Sequence, residues 1–196
     1  MLSINYCGDS FCKTGGDVGI NAELAWTSRL SKLLNAQIIG LGKSGTAHEH
    51  AIQSFVDTAD YTVFCWTEPN RLWHPKYAIN AAHADLYKKE LRIYGVADLY
   101  YKYLHDEQYA IQRYYRDCYW FDHAVLSKYQ GKCIHLSCFS QIYNWTSGID
   151  HQIKPLNDER TVPWEHSDDE VANHLTAERN ERLADELYTL FTKEMT

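Results

Sequence analysis

The first 67 residues alternate between short apolar runs and helical patterns, and this alternation constrains the fold more than any other feature of the sequence. The apolar runs lie at 2–7, 36–42 and 60–67, and the helical patterns lie at 20–35 and 47–59. Leucines recur at helical spacing in the first helical pattern, whereas the third run is rich in Val, Phe and Trp, which favour strands. We expect the run at 36–42 to be a buried strand. Strands that alternate with helices predict a parallel sheet covered by helices on both faces.

The remainder of the chain completes this pattern and interrupts it once. Residues 76–129 are rich in tyrosine and charge, and we interpret them as two or three helices that replace an ordinary crossover. Residues 131–140 predict a fourth strand, residues 141–172 an irregular segment, and residues 175–195 a closing helix with leucines along one face. A chain of 196 residues suits one domain, so we expect 1–196 to be a single domain with a helical insertion.

Charge and composition exclude several classes of function. The net charge is −7 and no cluster of Lys and Arg stands out, which argues against nucleic acid as a partner. No signal peptide is evident, and no run approaches the ~20 apolar residues of a membrane span, so we expect a soluble, cytoplasmic protein without a membrane partner. The six cysteines lie mostly in apolar runs and form no CxxC pair, which predicts buried free thiols and no structural zinc. No cofactor is predicted.

Residues suited to nucleophilic chemistry follow three successive strands. Ser10 follows the first strand in a Gly-Asp-Ser turn, Gly45 lies in a glycine-rich loop after the second, and Asn70 follows the third. Right-handed crossovers place these three loops at the carboxyl edge of the sheet, where ligands bind in such folds. His174 precedes the closing helix, and an imidazole can take and return a proton near neutral pH. Arg71, beside Asn70, could anchor an acidic neighbour or a substrate, but we expect it to lie at the surface.

This combination resembles the SGNH, or GDSL, family of hydrolases. The matching blocks are GDS at 8–10, GKSG at 42–45, TEPN at 67–70, which fits only with a shift, and NHLT at 173–176. The helix after the last block also resembles the family's closing helix. The resemblance implies a flavodoxin-like three-layer α/β/α sandwich and hydrolysis of esters, often of acyl groups on carbohydrates or lipids. The tyrosine-rich segment lies outside it.

The resemblance also implies a role for each matching residue. Ser10 is the expected nucleophile and His174 the expected base. The oxyanion hole is expected to combine the N–H groups of Ser10 and Gly45 with the side-chain amide of Asn70. Each such donor is commonly worth about 3 kcal/mol in the transition state.

The third member of the triad is less clearly marked. The family usually has an aspartate three residues before its histidine, and here that position is Val171. Asp169 and Glu170 lie just upstream and are the candidates for the acid. A weakened triad leaves open a non-catalytic binding module for a glycan or a protein partner. A phosphate-binding protein that uses the GKSGT loop is a further alternative, but the earlier glycine of the phosphate-loop pattern is missing.

Two further features complete the set of hypotheses. His48-Glu49-His50 lacks the spacing of a zinc-protease helix, and we set aside a metal site there. The tyrosines of 76–129 could line a sugar-binding cleft, form a lid or form a dimer interface. The expected partners are therefore a small-molecule or glycan ester as substrate and a second copy of the chain in a homo-oligomer.

Overall fold

The computed structural model describes residues 1–13, 22–137, 139, 143–152 and 175–193. Within these residues five strands form one parallel sheet in the order β2-β1-β3-β4-β5. The strands are β1 (Leu2–Gly8), β2 (Ala36–Gly40), β3 (Tyr61–Trp66), β4 (Lys132–Ser137) and β5 (Ile149–Gln152). The predicted parallel sheet is confirmed. Its order reverses direction between β1 and β3, which is the point where doubly wound sheets open a crevice for ligands.

Helices cover both faces of this sheet. They are α1 (Trp26–Leu34), α2 (His48–Gln53), α3 (Ala81–Tyr87), α4 (Arg92–Tyr103), α5 (Glu107–Trp120) and α6 (Ala177–Thr192). Helices α1 and α6 pack on one face, and α2 and α5 pack on the other. After α5 the chain passes through a π-helical turn at Phe121–Val125 and a 3-10 turn at Leu126–Lys128 before β4 begins. The expected three-layer α/β/α sandwich with a helical insertion is confirmed.

The side chains of the central strands explain why helices cover both faces of the sheet. In β1, Ile4 and Tyr6 belong to the hydrophobic cluster beneath α1 and α6, whereas Cys7 belongs to the cluster beneath α2 and α5. Successive residues of a strand point to opposite faces, so a strand that is apolar on both sides must be covered on both. Full burial of a leucine side chain stabilises the fold by about 1.5–3 kcal/mol, and Leu183 and Leu187 of α6 are both completely buried.

Asn180 joins the beginnings of α1 and α6. Its Oδ1 accepts a hydrogen bond from the Trp26 backbone N–H at 3.0 Å, and its Nδ2 donates to the carbonyl oxygens of Leu175 and Thr176, each at 3.0 Å. The Trp26 indole N–H donates to the carbonyl oxygen of Phe11 at 2.7 Å. These bonds connect the start of the closing helix to the turn that follows β1.

The structure corrects four details of the sequence interpretation. The segment 141–172, expected to be irregular, contains strand β5. Helix α1 begins only at Trp26 rather than near residue 20. Helix α2 ends at Gln53 rather than near residue 59, because Phe55 turns inward against the rings of the cluster beneath α5. Strand β2 is an edge strand with Ile39 exposed rather than a buried strand.

The tyrosine-rich segment contains three α-helices, as predicted. Helices α3 and α4 pack together around a small hydrophobic cluster of their own that includes Ile79, Ala84 and Tyr94. The five cysteines within the described residues are buried and free, also as predicted, and Cys138 lies outside those residues. No described helix combines the length and apolar composition that crossing a lipid bilayer requires.

Candidate active site

Ser10 lies at the carboxyl edge of the sheet, where the strand order reverses. It begins a 3-10 turn, Ser10–Cys12, that follows β1 directly. Gly8, the last residue of β1, pairs with Cys65 near the end of β3, so the loops that follow these two strands start side by side. A Cβ on Gly8 would collide with the Cys65 carbonyl, and only glycine allows this approach. The predicted nucleophile therefore occupies the position where this class of fold binds ligands.

Asp9 fixes the turn that carries Ser10. Its carboxylate is only 1% exposed; Oδ1 accepts a hydrogen bond from the Phe11 N–H at 3.0 Å, and Oδ2 pairs with Nη1 of Arg71 at 3.2 Å. Arg71 also pairs with Glu68 through Nε at 3.1 Å. The expectation that Arg71 lies at the surface is wrong, because its side chain is 12% exposed and its charge compensates a buried carboxylate. The loops after β1 and β3 are thus tied by one ion pair.

The loop after β2 packs directly on the Ser10 turn. The N–H of Gly42 donates to the Cys12 carbonyl at 3.0 Å, and the N–H of Lys43 donates to the Gly8 carbonyl at 2.9 Å. Gly45 adopts a left-handed conformation with φ of 70°. Within the described part of the chain, no group accepts a hydrogen bond from its N–H. An N–H of this kind suits the oxyanion role that the sequence predicts for Gly45.

The loop after β3 is held from outside by the insertion. Tyr101 of α4 donates its hydroxyl to the Asn70 carbonyl at 2.8 Å, and Arg113 of α5 donates through Nη2 to the carbonyls of Pro69 and Arg71, each at 3.0 Å. Burial raises the pKa of the Tyr101 hydroxyl, so it remains a donor at neutral pH. These contacts fix the backbone of the loop that carries Asn70.

Three polar side-chain atoms at this edge are buried and have no hydrogen-bond partner among the residues that the structure describes. They are the hydroxyls of Ser44 and Thr67 and the Oδ1 of Asn70. A half-turn of the Asn70 amide would present Nδ2 in place of Oδ1. Unsatisfied polar groups are costly in a folded protein and call for an explanation, and a polar ligand that binds between these loops would supply one.

The remaining predicted residues lie outside the described residues. These are His174 and the two candidates for the acid, Asp169 and Glu170. Leu175, the residue after His174, packs in the same hydrophobic cluster as Phe11, the residue after Ser10. The structure therefore brings the loops of Ser10, Gly45 and Asn70 to one edge, and the roles of the residues stay predictions.

One cluster has the residue types of a metal site. Single ligand atoms of His48, Glu49 and Asp117 lie within 4.8 Å of one another, beside a cavity of about 540 Å³ between α2 and α5. Arg113 lies 3.6 Å from a Glu49 oxygen, and Arg116 lies 3.0 Å from an Asp117 oxygen. Burial raises the pKa of Asp117, but hydrogen bonds from His48 and Arg116 outweigh it and lower that pKa overall. Because two guanidinium groups already face these carboxylates, a cation would be repelled, and we assign the cluster to joining α2 and α5.

Sequence reasoning also missed a buried histidine in β4. His135 accepts a hydrogen bond from the Trp66 indole at Nδ1 and donates from Nε2 to the Ser147 carbonyl, at 3.1 and 2.9 Å. Its ring stacks on Trp145 with 3.9 Å between the ring centroids. Burial lowers the pKa of His135 to about 3. Both ring nitrogens are occupied and the imidazole is neutral, so His135 stabilises the core and is not available for chemistry.

Comparison with known proteins adds evidence on the fold. No protein-family model matches the chain, and no curated protein matches it. Among solved structures, a carbohydrate esterase whose active site has divergent catalytic and non-catalytic binding functions superimposes with a TM-score of 0.52 at 12% identity, covering 99% of this chain and 69% of that one. The chain shares the α/β fold of this carbohydrate esterase.

Two further solved structures align more loosely. One is a protein described as lipolytic and of the G-D-S-L family, from Desulfitobacterium hafniense DCB-2, with 11% identity, a TM-score of 0.47, and coverage of 97% of this chain and 99% of that one. The other is a family two carbohydrate esterase from Clostridium thermocellum in complex with cellohexaose, with 12% identity, a TM-score of 0.39, and coverage of 96% and 62%.

Proposed function

We propose that the chain hydrolyses carboxylic esters through an acyl-Ser10 intermediate, and that its substrates are O-acetylated carbohydrates. The observation that carries this proposal is the placement of Ser10 at the switch point of the parallel sheet, in a turn fixed by the Asp9–Arg71 ion pair. The unpartnered polar groups of Ser44, Thr67 and Asn70 support a polar ligand at the same edge.

The proposed reaction uses Ser10 and His174 in two balanced half-reactions. The Ser10 hydroxyl attacks the acyl carbonyl while His174 takes its proton, and the N–H groups of Ser10 and Gly45 with the Asn70 amide stabilise the resulting oxyanion. His174 then gives the proton to the departing alcohol, leaving the acyl group on Ser10. Water attacks this ester while His174 takes its proton. His174 then gives that proton to the Ser10 oxygen, which restores the hydroxyl as the carboxylic acid leaves.

A fluorophosphonate probe tests the nucleophile. The folded wild-type protein should gain the mass of one probe, and Ser10→Ala should gain none. Ser127→Ala is a matched control, because Ser127 is an exposed serine in the 3-10 turn that precedes β4, away from the proposed site. An unlabelled wild type would contradict catalysis and favour the non-catalytic binding module. Labelling that survives in Ser10→Ala would show that another residue reacts.

Two measurements test the finer parts of the proposal. Acetate release from an acetylated oligosaccharide should exceed that from p-nitrophenyl acetate in kcat/KM, and equal values would remove the carbohydrate from the proposal.

Glu170→Gln and Asp169→Asn separate the candidates for the acid, because loss of the true acid should lower kcat by up to about 10⁴. Unchanged rates in both variants would mean that the site works as a Ser–His pair.

A further inference from the structure

Helix α4 has two apolar faces, and one of them is exposed. Its inner face, with Tyr94 and Ala97, packs in the cluster shared with α3. On its outer face Val96, Leu99 and Tyr103 are 57%, 56% and 77% exposed. Isolated exposed apolar residues are ordinary, but a row of them along one helix marks an interaction surface.

The spacing of this row is typical of a helix that pairs with another helix. Arg92, Val96, Leu99 and Tyr103 follow one another at intervals of four, three and four residues. Alternating intervals of four and three residues are those of the a and d positions of a coiled coil, which face a partner helix. We call these four residues the α4 seam.

The charges around the seam indicate what covers it. At the beginning of α4 the basic residues Lys88, Lys89 and Arg92 outnumber the acidic Glu90. At its end the acidic residues Asp106 and Glu107 outnumber Lys102 of the last turn, so the two ends carry net charges of opposite sign. A parallel partner of the same sequence would place like charges together. An antiparallel partner would place the basic beginning of each helix beside the acidic end of the other.

We propose that α4 pairs with α4 of a second copy of the chain in an antiparallel, twofold-symmetric dimer centred between Val96 and Leu99. In this register Val96 of each copy packs on Leu99 of the partner subunit. Arg92 of each copy then lies over the Tyr103 ring of the partner subunit, a cation–π contact. An isologous interface of this kind uses one self-complementary patch twice and closes at two copies.

The size of the seam sets the strength of the dimer. Helix α4 has 12 residues, which is about three turns. Two such helices bury less than the roughly 800 Å² per partner of a standard interface. We therefore expect a reversible dimer with a dissociation constant in the micromolar range.

Sedimentation velocity over a micromolar concentration series tests the interface without reference to catalysis. The wild type should shift from monomer to dimer, and Leu99→Glu should remain monomeric throughout the series. Leu86→Glu is the matched control, because Leu86 is an apolar residue of α3 that is 66% exposed and lies outside the seam. A wild type that stays monomeric, or a Leu99→Glu variant that still dimerises, overturns the proposal. Circular dichroism confirms that both variants are folded.

A charge exchange tests the antiparallel register. Arg92→Glu should weaken the dimer at least tenfold, because it removes the cation over the partner's Tyr103. Adding Tyr103→Arg should recover association, since the carboxylate introduced at position 92 of each copy would then face the guanidinium introduced at position 103 of the other. A parallel pair would set like charges against each other at both positions. Failure of the double variant to recover the dimer overturns the antiparallel pairing.

Discussion

Replacing Arg71 by methionine is expected to lower the free energy of unfolding by about 3–5 kcal/mol. Methionine keeps much of the side-chain volume and removes the cation that faces Asp9 at 3.2 Å. The Asp9 carboxylate is 1% exposed, and its remaining hydrogen bond, from the Phe11 N–H, does not balance its charge. A buried charge that loses its partner typically costs this amount.

Replacing Asp9 by asparagine is expected to cost less, about 1–2 kcal/mol. The asparagine oxygen can still accept the hydrogen bond from the Phe11 N–H. Arg71 meanwhile keeps its pairing with Glu68 at 3.1 Å and some access to water. In the double variant, Asp9→Asn with Arg71→Met, no buried carboxylate is left unpaired, so the combined cost should be about 1–3 kcal/mol smaller than the sum of the single costs.

Urea unfolding followed by tryptophan fluorescence measures all three variants against the wild type. The double-mutant cycle isolates the coupling between the two side chains from other effects of each substitution. Additivity within about 0.5 kcal/mol would refute the reasoning, because it would mean that water screens the pair. An Arg71→Met cost below about 1 kcal/mol would refute it independently.

Three further perturbations test other parts of the structure. Burial lowers the folded-state pKa of His135 to about 3, so on acidification the unfolded chain binds the proton before the folded chain does. This group alone should therefore lower the free energy of unfolding by about 2 kcal/mol between pH 7 and pH 5. His135→Phe should flatten that slope, and an unchanged slope would assign it elsewhere. Gly45→Ala should lower the free energy of unfolding in urea by about 1–3 kcal/mol, because φ is 70° and the new Cβ would collide with Ala78. An unchanged urea midpoint would contradict this geometry. Asn180→Ala should lower the free energy of unfolding by a similar amount, because it leaves the Trp26 N–H without an acceptor. A variant with the same melting temperature as the wild type would count against that hydrogen bond.

The parts of the fold that the sequence predicts are those with a strong local signal. Strands β1, β3 and β4 are apolar on both faces and bounded by turn residues, and the closing helix has leucines at regular spacing. Strand β5 has four residues, IDHQ, with one apolar side chain among them. Its strand conformation comes from pairing with β4, which no local pattern reveals.

The residues of the candidate site also divide into those that a local sequence pattern marks and those that it does not. Ser10 and Gly45 lie in short loops at strand ends, so the order of elements alone brings their loops to one edge. The pairing of Asp9 with Arg71 joins residues that are 62 positions apart. The sequence offers each as a common surface charge, and only the parallel pairing of β1 with β3 brings them together. Two opposite charges at the ends of adjacent parallel strands are the signal that could have suggested it.

The bonds from Tyr101 and Arg113 to the loop after β3 have a consequence for the candidate active site. Three backbone carbonyls of that loop accept hydrogen bonds from side chains of α4 and α5, which lie far from the loop in the sequence. The tyrosine-rich segment therefore has two roles: through α5 it covers one face of the sheet, and through Tyr101 and Arg113 it holds the backbone of the loop that carries Asn70. Loss of either side chain is expected to loosen that loop, although neither residue lies in it.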